Sequence, residues 1–100
     1  MASPRYRKTG AMAARKILDE VVLIPIRTDT RETLGAYHLN RTASVLWESL
    51  EREASLDDLV TALCTRFQVE APQARADAEG FVQEMLRIGA LEAGAEAGPA

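Results

Sequence analysis

The sequence predicts a small α+β domain in which a three-stranded antiparallel sheet precedes a three-helix bundle. Before Asn40 the apolar residues come in short β-branched or alternating runs, the period of strands, whereas after it they recur at steps of three and four, the period of helices. The junction between the halves is the most informative stretch. In Gly35 to Trp47, GAYHLNRTASVLW, Tyr37 and Leu39 alternate with Ala36 and His38, and Asn40 then supplies an acceptor suited to capping a helix. No loop separates strand from helix, so the register of that strand is fixed by the helix that follows it.

Taken in order, residues 1–12 combine Pro4, Gly10, small residues and basic charge without apolar periodicity and read as a flexible tail. Ala14 to Leu18 forms a weak strand, Asp19 and Glu20 a turn, and Val21 to Ile26 a β-branched strand whose pairing Pro25 limits. Arg27 to Thr33 is the polar loop of a long hairpin, and Leu34 to Leu39 is the third strand. The first helix buries Ala43, Val45, Leu46, Trp47 and Leu50 and stops at Glu51-Arg52-Glu53. Ser55, with Asp58 at the third helical position, opens a second helix in a carboxylate variant of the capping box. Leu56, Leu59, Val60, Leu63, Cys64 and Phe67 line its apolar face. A third helix starts near Pro72, carries Ala74, Ala78, Phe81, Val82, Met85 and Leu86, and ends at the C-capping Gly89. Leu91 folds back onto the core. Glu92 onward, EAGAEAGPA, reads as a second flexible tail, which leaves residues 13–91 as one domain.

Composition narrows the function. One hundred residues suit a single core, and no apolar run reaches the ~18 to 20 residues that span a bilayer. The basic start lacks the apolar segment of a secretory signal, and the single Cys64 excludes an intrachain disulfide, so a cytoplasmic location is expected. Residues 1–16 hold five basic residues and no acid; residues 17–100 hold 7 basic and 15 acidic residues, a balance of −8. The folded part is therefore acidic, which argues against nucleic acid as its partner. The basic tail reads as a solvated extension or as a contact for a partner or a nucleic acid.

Chemistry-bearing constellations are missing. No Ser/His/Asp set, glycine-rich phosphate loop or zinc-spaced cluster is present, so the chain is expected to be no enzyme and to need no cofactor or metal. His38 reads as an exposed strand residue, Cys64 as a buried small hydrophobe, Trp47 as core, and Asp57 with Asp58 as helix-start acids. A strand at a sheet edge offers unpaired backbone groups to another chain. Tyr37 and Leu39 either face such a partner or enter the core. Val82 and Leu86 widen the apolar surface of the third helix, which means packing on two sides or a partly open groove.

The order and spacing of these residues resemble the PqqD-like family, small domains named for coenzyme PQQ synthesis protein D and described as recognition elements for ribosomally made, modified peptides. The resemblance rests on Tyr37-His38-Leu39-Asn40 with Ala43 and Leu46-Trp47, on Ser55-Leu56-Asp57-Asp58-Leu59-Val60, and on Phe67-Gln68-Val69. Asp77, Phe81-Val82, Met85 and Gly89-Ala90-Leu91 complete it, over roughly residues 14–91. It implies a winged-helix-like fold in which a leader peptide adds as a strand beside the third strand, its side chains entering a groove walled by the third helix. Leu34, Ala36, Tyr37, His38 and Leu39 would form the edge, and Arg75, Ala78, Glu79, Val82 and Leu86 the groove side of the helix. The implied partners are a precursor peptide and a modifying enzyme, typically a radical S-adenosylmethionine enzyme, to which the domain acts as a peptide chaperone. The chain departs from PQQ-pathway members at Ile24-Pro25-Ile26, where they show a Tyr-Pro-Glu-like segment, and at Glu51-Arg52-Glu53, where they show a Cys-Asp-Gly-like turn. It suits a relative serving another peptide pathway as well as PQQ synthesis itself.

About four edge hydrogen bonds at a net ~0.5 to 1.5 kcal/mol each, with two apolar anchors at ~1.5 to 3 kcal/mol each, work against an association cost of at least ~4 kcal/mol. The affinity is then micromolar at best, which suits a carrier that must release its cargo. Two other readings are open: a winged-helix DNA-binding protein, against which the acids Asp77, Glu79 and Glu84 of the third helix speak, and a homodimer formed through an exposed strand edge.

Overall fold

The computed structural model of the chain describes residues 4–26 and 35–94. Along the chain these form β1 (Arg5–Lys8), β2 (Met12–Ile17), β3 (Glu20–Pro25), β4 (Tyr37–His38), α1 (Arg41–Glu48), a 3-10 turn at Ser49–Glu51, β5 (Ala54–Ser55), α2 (Leu56–Arg66), α3 (Ala71–Arg87) and β6 (Leu91–Ala93). The expected mixed α+β architecture is present: a three-stranded antiparallel sheet in the order β2-β3-β4, then three helices. The loop expected at Arg27 to Thr33, and Leu34 beyond it, lie outside the described residues.

The β2–β3 hairpin pairs Met12 with Pro25 at one end and Ile17 with Glu20 at the other. Its two-residue turn needs positive φ, which Leu18 adopts at 59°, an uncommon conformation for a leucine. Pro25 is the last residue of β3, as its missing N–H requires. On β3 the side chains alternate, so Val21 and Leu23 are buried beneath the helices while Ile24 faces solvent.

Each helix starts and stops where local chemistry dictates. Asn40 Oδ1 accepts the Ala43 N–H at 2.8 Å and caps α1. Ser55 Oγ accepts the Asp58 N–H at 3.1 Å while Asp58 Oδ2 accepts the Ser55 N–H at 3.0 Å, completing the capping box of α2. Pro72 sits in the first turn of α3. At its far end Gly89 adopts φ 81°, and the Ala90 and Gly89 N–H groups reach back to the Met85 and Leu86 carbonyls at 2.9 and 3.2 Å, a Schellman closure. Leu46, Trp47 and Leu50 from the α1 region, Leu59 and Leu63 from α2, and Phe81 and Met85 from α3 meet in one core.

The chain ends depart most from the sequence reading. Residues 5–8, expected within a flexible basic tail, form the middle strand of a second sheet in the order β5-β1-β6, and Glu92 and Ala93, expected in the other tail, belong to β6. The reason is electrostatic as much as apolar. Arg7 Nε donates to Glu92 Oε2 at 2.7 Å and its Nη1 to Glu53 Oε2 at 3.2 Å, while Arg5 Nη2 donates to the Glu53 carbonyl at 3.1 Å. Lys8 turns inward and lays its ammonium over the Trp47 ring, 4.5 Å from the centroid. Cys64 also differs from expectation: it is exposed, because only Leu59 and Leu63 of α2 are fully buried and the buried stripe is narrower than the apolar one. Trp47 is core, as expected. No helix among the described residues is long and apolar enough to cross a membrane.

Two outcomes follow from the N-terminal strand. Deleting residues 1–8 leaves β5 and β6 unpaired and uncovers Leu91 and Trp47; urea unfolding should show a loss of roughly 3 kcal/mol or more, whereas a tail would give none. Burial lowers the Lys8 pKa from its usual 10.5, so between the lowered value and 10.5 the unfolded chain holds the extra proton and stability rises with pH. Lys8→Met should flatten that alkaline rise in melting temperature.

Candidate functional site

β4 is an edge strand among the described residues. It pairs with β3 through Tyr37 opposite Leu23 and His38 opposite Val22, and the Leu39 N–H donates to the Val21 carbonyl at 2.8 Å. Backbone groups of successive strand residues point to opposite edges. Tyr37 and the Leu39 N–H therefore turn toward β3, and the N–H and C=O of His38 point outward. The side chains divide the other way: Leu39 is buried, Tyr37 half-buried, and His38 is exposed on the outer face with Nε2 2.6 Å from Glu20 Oε1. The opposite edge of the same sheet, β2, carries Arg15 and Lys16, charges that discourage strand pairing. β4 carries no such block.

One buried hydroxyl sets the angle between this strand and α1. Ser44 Oγ accepts the Val21 N–H at 2.8 Å and donates to the Leu39 carbonyl at 3.2 Å, taking the place of a direct ladder bond where β4 leaves the sheet. Among the described residues no buried side-chain polar atom lacks a hydrogen-bond partner, and α1 packs against β3.

Beyond the end of β4 a groove of about 400 Å³ runs between the start of α1 and α3. Leu46 and Phe81 form its buried floor, Ala43, Ala76 and Gly80 leave its walls low, and Asn40, Thr42 and Asp77 make its polar rim. Asp77 Oδ1 accepts from Gln73 Nε2 at 2.9 Å. A turn or more further along α3, Arg87 Nε donates to Glu84 Oε1 at 3.1 Å; the pair holds the Glu84 carboxyl below its usual range and raises Arg87, to which the nearby Tyr37 adds. Among the described residues no three His, Cys, Asp or Glu side chains gather as a metal site.

The expected site residues separate into two groups. Ala36, Tyr37, His38 and Leu39 lie on or beside the β4 edge, though Leu39 points into the core; Leu34 lies outside the described residues. The five expected on α3 do not face that edge. Ala78 and Val82 are buried at 0% and 4% exposure, Glu79 and Val82 line a hollow with Tyr6 and Leu56, and Arg75 pairs with Asp57 of α2. Leu86 is 39% exposed and continues the same stripe at a four-residue step from Val82. Arg75, Glu79 and Val82 thus lie toward α2 and β1, and the α3 residues lining the groove beyond β4 are Ala76, Asp77, Gly80 and Phe81. The signal for that other flank was a glycine in the middle of a helix, where packing gives it no reason to be.

The family model for coenzyme PQQ synthesis protein D (PqqD) matches residues 20–91. The chain belongs to the PqqD family. The matched segment begins at β3 and ends at β6, so the PqqD region contains the β4 edge, all three helices and the groove, and leaves β1 and β2 outside it. No curated protein matches the chain. Among solved structures, TbiB1 in complex with the TbiA(beta) leader peptide is similar to this PqqD-family chain. It superimposes with a TM-score of 0.71 at 27% identity over 89% of this chain and 98% of that one.

Ser44→Ala tests the junction. Its loss leaves the Val21 N–H and the Leu39 carbonyl unpaired in the core, and chemical denaturation should show a cost of about 1 to 3 kcal/mol, against a few tenths for the exposed Ser49→Ala.

Proposed function

We propose that this PqqD-family chain is a non-catalytic peptide-binding module that takes up a precursor peptide's leader as an added strand along β4 and presents it to a modifying enzyme. The observation that carries the reading is the outward backbone of His38 on a strand edge that ends at a groove of mixed apolar and polar lining between α1 and α3. Family membership supports it, as does the likeness to TbiB1, whose solved structure holds a leader peptide. The strand supplies backbone bonds that any sequence can make; the groove between α1 and α3 supplies discrimination. The modifying enzyme is a radical S-adenosylmethionine enzyme on the family resemblance, working in the biosynthesis of a peptide-derived cofactor or natural product.

The charge distribution favours a peptide over DNA. Arg5, Arg7, Lys16, Arg75 and Arg87 each pair with a carboxylate, which reduces what these cations offer to a phosphate backbone. A second copy of the chain is the natural competitor for the β4 edge, and sedimentation at several concentrations would reveal a dimer formed there.

His38→Pro is the decisive variant. The N–H it removes points away from β3, so the native ladder survives, while an incoming strand loses a partner and meets the ring. Labelled leader peptides encoded beside this gene should bind the unaltered chain in the micromolar range, and His38→Pro should weaken them about tenfold or more with little change in melting temperature. Equal binding by the variant would exclude strand addition at this edge.

A further inference from the structure

We infer that the slot over Gly80, with Asp77 at its rim, selects a peptide carrying an arginine or lysine at the position that passes Asn40; the inference rests on the strand-addition reading above. Gly80 lies inside the 17-residue α3, where glycine costs about 0.5 to 1 kcal/mol relative to alanine. No atom lies within 4 Å of where its Cβ would stand, so nothing in the free protein requires the side chain to be missing. The room serves something that arrives. Ala43 and Ala76 keep the neighbouring walls equally low above the apolar floor of Leu46 and Phe81.

The charge at the rim decides what arrives. Asp77 is half-buried and its described hydrogen-bond partner, Gln73, is neutral. The other polar groups lining the groove, Asn40 and Thr42, are neutral as well, while on the same helix Glu84 is matched by Arg87 and Arg75 is taken by Asp57. The groove therefore sets the small and apolar surface of Ala43, Ala76, Gly80 and Phe81 beside one carboxylate, and the neighbouring cation, Arg41, is turned to the Phe67 ring, 5.8 Å from its centroid, without an ion pair to Asp77. A long basic side chain fits both halves, its methylenes lying over Gly80 and its charged head reaching Asp77. An acidic side chain would meet repulsion, and a plain aliphatic one would leave the carboxylate facing apolar surface.

The test is a selection of random decapeptides, displayed on their own messenger RNA, against the full chain and against Asp77→Lys and Gly80→Leu, each checked for folding by circular dichroism and melting. The unaltered chain should enrich peptides with Arg or Lys at one fixed register, and replacing that residue by Gln in the best binder should cost roughly five- to tenfold in affinity. Asp77→Lys should shift the preference at that register to Asp or Glu. Gly80→Leu, at an exposed helical position that leucine tolerates, should weaken the best binder about tenfold or more. Binders without a basic preference, a preference unmoved by Asp77→Lys, or full affinity for Gly80→Leu would each overturn the inference and leave strand addition standing. Failure to enrich any peptide would remove both.

Discussion

The hydroxyl of Ser44 is the point on which the geometry of this protein turns. A strand that leaves its sheet and enters a helix within one or two residues must abandon a ladder bond, and an abandoned N–H in a core costs as much as a large packing defect. Ser44 fills the gap by bridging, its Oγ accepting a hydrogen bond from the Val21 N–H and donating one to the Leu39 carbonyl. Because both partners of this hydroxyl are backbone groups, it ties α1 directly to β3 and to the end of β4. The groove inherits that constraint. Its near wall is α1, its entrance is the end of β4, and α3 is held opposite by the shared core of Leu46, Phe81 and Met85.

What the sequence revealed and what it hid divide along physical lines. Elements fixed by local chemistry were legible: the Asn40 cap, the Ser55 capping box with Asp58, the stop at Gly89, and the strand of Val21 and Leu23. The first strand was hidden because it is stabilised by charge and by a lysine stem on a tryptophan, neither of which has an apolar period to read. Arg5, Arg7 and Lys8 look like a solvated run until Glu53, Glu92 and Trp47, far away in sequence, are brought beside them.

The candidate site was legible in half. An unbroken strand-to-helix junction marked the β4 edge, since that pattern is local. Which flank of α3 would stand beside it was not, because α3 is apolar over more than one stripe and periodicity cannot tell a flank packed on α2 from one turned to a groove. Val82 and Leu86 drew attention as large apolar residues, yet Val82 is occupied by the protein's own core. The open flank is made of small residues, Ala76 and Gly80, whose contribution is space. Size therefore pointed to the flank that packs on the protein itself, and the absence of size marks the flank that lines the groove.

The second sheet has a mechanical consequence. β1 and β6 run antiparallel, and the Gly94 N–H closes on the Arg5 carbonyl at 2.6 Å, so the two described ends of the chain leave the fold side by side. Force applied between them would load the ladder bonds one after another, as a zipper opens, and not all together as in shear. A machine pulling on the N-terminal end would thus peel β1, and one pulling on the C-terminal end β6, one ladder bond at a time. Resistance to pulling at these ends and resistance to denaturant are therefore separate properties of this fold.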